Sequence, residues 1–128
     1  MLEPEIARLA AERRTDDDVR AMRSAIATER AARSSDDAHD ASRAFHLAVA
    51  ASTRNEAFVR LLEALWIADV GRRLLAERRR ASSWQDDDVA EHEAIVIALE
   101  SQEGDRAAAL MRAHVASAVR HWSARGTA

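Results

Sequence analysis

Short oxygen-bearing caps followed by acids punctuate this chain, and between them apolar residues recur at helical spacing. Thr15 precedes Asp16, Asp17 and Asp18; Ser34 and Ser35 precede Asp36 and Asp37; Asn55 precedes Glu56; Asp86, Asp87 and Asp88 stand together; Gly104 precedes Asp105. A cap oxygen accepts from the orphaned N–H groups of a first helical turn, and acids there complement the positive end of the helix dipole. A chain cut this way has room for helices and little else. With 30 Ala, 3 Gly and 1 Pro, strand formers are scarce as well. The expected fold class is all-α, an antiparallel bundle of about six helices.

The first helix is expected over residues 2–14, with Leu2, Ile6 and Leu9 on one stripe and Glu3 and Pro4 in its first turn. The second carries Val19, Met22 and Ile26 and runs to about Arg33. Ala38, Ser42, Phe45, His46 and Val49 share a face of the third. The fourth has the widest apolar stripe, from Phe58, Leu61, Leu62, Leu65 and Trp66 to Val70, Leu74 and Leu75, and is expected at the centre. A loop is expected over residues 81–85. The fifth then turns Val89, His92, Ile95, Val96 and Leu99 inward, and the sixth, capped by Asp105, presents Ala107, Leu110, Met111, His114, Ala118 and His121.

At 128 residues the chain suits one domain with one core, spanning residues 1–128. It has no Cys, which excludes disulfides and thiolate metal sites and leaves imidazole and oxygen as metal ligands. No apolar run approaches the ~20 residues of a membrane span, so a cytoplasmic location is expected and no membrane partner. The net charge is -3 and every one of the 19 basic residues is Arg, which is not the balance of a nucleic-acid binder. Arg72, Arg73, Arg78, Arg79 and Arg80 cluster where they close a helix and meet its carbonyl end.

Three histidines stand where hydrocarbon belongs. His46, His92 and His114 each fall on the apolar stripe of a different helix, and a buried imidazole needs hydrogen-bond partners or a metal to offset lost hydration. If the fifth and sixth helices form a hairpin turning near Glu103, His92 and His114 stand at equal depth, each about 16 Å from the turn. His46 adds a third nitrogen if its helix packs alongside. Singly, each reads as a satisfied core residue; jointly, three neutral imidazoles with open positions match a divalent first-row cation such as Zn²⁺ or Ni²⁺. His39 and His121 lie two turns from the nearer candidate, too far to share the ion, so His39 is expected to be solvated or an outer partner and His121 to complement a helix end.

Phe45-His46, then Ala51-Ser52-Thr53-Arg54-Asn55, then Glu91-His92-Glu93-Ala94-Ile95, then Gly104-Asp105 through Met111 and His114, form an ordered set of short motifs. Together with Leu2-Glu3-Pro4 and Leu9-Ala10-Ala11-Glu12-Arg13, this set resembles the FCD domain, the effector-binding C-terminal domain of FadR-like GntR transcription regulators. The resemblance implies a helical bundle holding a divalent metal near its centre, with a small carboxylate effector completing coordination. It carries the ligand role to His46, His92 and His114. The family's aspartate one turn before the first histidine falls on Ser42, a much poorer ligand; Asp69 either supplies the missing carboxylate, directly or through water, or is a partly exposed acid paired with Arg72 or Arg73. Arg13, Arg72 and Arg73 are candidates for meeting the effector's carboxylate. The resemblance further implies a homodimer, with DNA bound by a winged helix-turn-helix domain that has no counterpart in these residues.

Two other classes compete. A metal-dependent hydrolase also uses three histidines around an open site, and His92-Glu93 looks like the opening of a zincin motif; Val96 stands where the second histidine belongs. Di-iron carboxylate chemistry needs Glu three residues before each His, where Arg43, Val89 and Met111 stand. The third reading is a plain helical dimerisation domain with Trp66, Trp84 and Trp122 in packing or contact. The sequence therefore points to a sensor and away from an enzyme.

Overall fold

The computed structural model describes residues 2–68 and 84–126, with side chains described up to residue 66 and from 84 to 117. Among them are six helices and no strand: α1 (Glu3–Arg13), α2 (Asp16–Ala31), α3 (Ser35–Ala51), α4 (Glu56–Ala68), α5 (Trp84–Glu100) and α6 (Gly104–Gly126). The all-α bundle expected from the caps is the fold observed.

The caps work as their chemistry dictates. Thr15 accepts from the Asp18 N–H while the Asp18 carboxylate accepts from the Thr15 N–H, a reciprocal capping box contributing about 1 kcal/mol. Ser34 accepts from Asp37 and Asn55 from Ala57. Asp105 lies inside the first turn of α6, which begins at Gly104, and its carboxylate pairs with Arg8 of α1 instead of capping. That contact sits where α6 packs along α1, an approach made close by Ala7, Ala10, Ala11, Ala107 and Ala108, all buried. A Cβ on Gly104 would stand 3.4 Å from Arg8.

Helix α2 packs on α3, α5 lies against α2 and α6, and α3 touches α1, α4 and α5. Ile6, Met22, Phe45, Val49, Ile95, Leu99 and Met111 form the shared core. The α5–α6 turn is a Schellman motif: Gln102 takes the left-handed conformation at φ 56, the Glu103 N–H donates to the Ala98 carbonyl and the Gln102 N–H to that of Leu99. The Gln102 amide also donates to the Ala11 carbonyl, so the turn that sets the depth of α5 against α6 is anchored on α1.

Three expectations change. Helix α5 starts at Trp84, inside the expected loop, because Gln85 donates to the exposed carbonyls of Glu29 and Ala32 at the end of α2, at 2.6 and 2.9 Å. Trp84 packs its ring 4.7 Å from that of His39, so His39 is a buried residue against an indole and not a solvated one. Among the described residues helix α4, expected at the centre, packs chiefly on α3, and its Leu61 and Leu65 are about half exposed. Val70, Leu74, Leu75 and the first part of the expected loop lie outside the described residues, as do the side chains of Ala118, His121 and Trp122.

Candidate metal centre

Helices α3, α5 and α6 each turn one histidine into the same point. His92 Nε2 lies 3.1 Å from His114 Nε2, and His46 Nε2 lies 3.2 Å from His114 Nε2. The equal-depth argument for the α5–α6 hairpin therefore holds, and α3 supplies the third ring. All three side chains are buried. Phe45 stacks on His92 with centroids 4.1 Å apart, giving that ring an apolar floor, and Trp66 approaches His46 at 6.2 Å.

Each ring is gripped from behind by a different carboxylate. His46 Nδ1 lies 2.6 Å from Glu3 of α1, His92 Nδ1 2.9 Å from Glu29 of α2, and His114 Nδ1 2.7 Å from Glu91 of α5. A carboxylate at Nδ1 holds the proton there and leaves Nε2 with a free lone pair. In that neutral tautomer the three Nε2 lone pairs face one another. At 3.1–3.2 Å two bare nitrogens repel unless a proton or cation lies between them, and donors ~2.1 Å from one metal stand ~3.0–3.4 Å apart when adjacent in octahedral or tetrahedral coordination. The donor set fits a divalent cation.

A fourth carboxylate borders the same point. Asp88, one turn before His92 on α5, places Oδ2 3.6 Å from His92 Nε2 and Oδ1 3.7 Å from His114 Nε2. Among the described residues no donor reaches its buried Oδ2 or Oε2 of Glu29, and the two carboxyls hydrogen-bond each other when one of them carries a proton. Ligand atoms of Glu29, Asp88 and His92 lie within 4.8 Å of one another, as do those of the three histidines.

These contacts shift the protonation equilibria. Burial, reinforced by the neighbouring Glu29 carboxyl, pushes Asp88 from the usual carboxylate range up to about 6. Burial likewise raises Glu29, against the pull of Asp88 and His46. Burial, with the other two histidines adding to it, holds His92 well below the usual imidazole value, which keeps its ring neutral. Burial works against a charged His46 too, but Glu3 beside it outweighs this and raises it; for Glu3, burial pushes upward and His46, with His114 and His92, brings it below the usual value.

The remaining candidates fall elsewhere. Ser42 is buried on α3, one turn before His46. Arg13 donates to the Thr53 carbonyl at 2.8 Å, tying the end of α1 to the segment after α3. Asp69, Arg72 and Arg73 lie outside the described residues. Glu93, the acid of the partial zincin motif, pairs with Arg30 on the surface, so it offers no general base to the histidines. Sequence reasoning missed Glu3, Glu29, Glu91 and Asp88. Glu29 carried a signal, an acid on the same stripe as Met22 and Ile26; so did Asp88, four residues before His92 as Ser42 is before His46.

The FCD domain family model matches residues 1–117. The chain belongs to the FCD domain family. FCD domains are the ligand-sensing domains of GntR-family regulators, a regulatory role and not an enzymatic one. No curated protein matches this FCD chain. Among the described residues no helix is long and apolar enough to cross a membrane.

Proposed function

We infer that this FCD domain senses a small organic acid through a divalent first-row cation held by His46, His92 and His114. The observation that carries the reading is the double engagement of each imidazole, with Nδ1 on its own carboxylate and Nε2 directed at the shared point. Core histidines retained for packing need one partner each; three rings locked in one tautomer and aimed together are what a cation requires.

A bound cation supplies Lewis acidity and positive charge at its open positions, where carboxylate oxygen of an effector is attracted. The chain's own residues hold the rings rigid, exclude water on the Phe45 side and keep His92 unprotonated so that it can ligate near neutral pH. Binding draws α3, α5 and α6 onto one centre, and the Glu partners transmit that constraint to α1 and α2. In a regulator this biases the arrangement of a separate DNA-binding domain. Leu61 and Leu65 on α4 offer an apolar strip suited to self-association as a homodimer, and a cytoplasmic location follows from the regulatory role.

Calorimetry with a panel of short mono- and dicarboxylic acids tests the reading. Saturable heat is expected from the metal-loaded protein and not from the chelated one. Equal binding in both states, or none in either, contradicts it.

A further inference from the structure

We propose that Asp88 on α5 is the carboxylate ligand of this centre. The proposal rests on the three-histidine reading above and adds a fourth donor to it. Ser42 precedes His46 by one helical turn and Asp88 precedes His92 by one turn, equivalent register positions on neighbouring helices, and of the two it is Asp88 that borders the histidine nitrogens. At Ser42 the side chain ends in a neutral hydroxyl, a weak donor for such ions.

Asp88 meets the physical requirements that Ser42 does not. Its two oxygens stand 3.6 and 3.7 Å from the nitrogens of His92 and His114, at the separation of neighbouring donors around one ion to within a few tenths of an ångström. The residue is 7% exposed; its hydrogen-bonding neighbour is another carboxyl, Glu29, and among the described residues an ionised Asp88 has no donor for Oδ2. A buried carboxylate oxygen without a partner is expensive, whereas the neighbouring acids of the same turn, Asp86 and Asp87, face solvent. An ion at the histidines relieves that cost directly. Three neutral imidazoles and one carboxylate then leave the ion a net positive charge, as capture of an anionic effector requires.

Asp69 is thereby unnecessary as the source of the carboxylate. The acidic donor then comes from α5, beside the nitrogens of His92 and His114, instead of from α3.

The test is a Co²⁺ titration of the whole chain, read by chelator competition and by the visible absorption of bound Co²⁺, for wild type, Asp88→Asn and Asp88→Asn combined with Ser42→Asp. Far-ultraviolet circular dichroism checks that each remains folded. The expected result is one Co²⁺ per wild-type chain, about 100-fold weaker binding with a changed spectrum in Asp88→Asn, and recovery of affinity in the double variant. Wild-type affinity and spectrum in Asp88→Asn overturn the proposal while leaving the three histidines as ligands. Weaker affinity with an unchanged spectrum also overturns it, since a nearby charge that does not ligate gives that outcome. Failure of the wild type to bind Co²⁺ removes the three-histidine reading itself.

Discussion

The imidazole of His92 and the carboxyl of Glu29 meet 2.9 Å apart with neither side chain exposed to solvent, although one lies on α5 and the other on α2. That contact orients the ring and settles which nitrogen faces the centre. Glu29→Gln keeps the shape and weakens the grip, so metal affinity is expected to fall about 10- to 100-fold with the fold retained. Chelator competition measures it, and affinity within a factor of two of wild type counts against the positioning role.

Phe45 is fully buried and lies flat against His92. Phe45→Ala removes a large core side chain and the floor of one ligand together, and is expected to cost about 3–5 kcal/mol of stability. Urea unfolding with and without chelator separates the two effects. The loss persists in the chelated protein because the packing defect does not depend on metal.

Binding to the folded state alone raises stability by mass action. Free metal at a hundred times its Kd adds about 2.7 kcal/mol, which for a chain of this size raises Tm by about 10 °C. Thermal melts before and after chelation check this, and identical melting curves under saturating metal contradict it.

Much of this was legible in the chain. The caps at Thr15 and Ser34 set helix starts correctly because their bonds are local, and the three histidines were visible because each interrupts an apolar stripe. What was not legible depends on contacts between distant segments. Gln85 reads as loop until the end of α2 is present to receive its amide, and whether His39 is solvated or an outer partner stays open until Trp84 covers it. Glu3 and Asp88 read as first-turn acids, a role that explains an acid at a helix start without any partner. Only the packing of α1 on α3 and of α5 on α6 separates Glu3 from Glu5, and Asp88 from Asp86 and Asp87.

Asp88 gives the metal-free protein a pH signature. A carboxyl whose pKa is higher in the folded chain than in the unfolded one holds its proton more tightly when folded, so its contribution is present below 3.8 and is lost as pH rises through about 6. Chelated Asp88→Asn is therefore expected to be more stable than chelated wild type at neutral pH, with the difference shrinking as pH falls toward 3.8. Denaturant midpoints across that range measure it; a pH-independent difference contradicts the burial of an ionisable acid.

X-ray absorption at the edge of the bound metal tests the central claim most directly, because it counts the imidazoles around the ion. The account predicts one metal per chain with a shell of three histidine nitrogens, reduced to two in His114→Ala. A protein that retains no metal, or a shell with fewer than three imidazoles in the wild type, contradicts it.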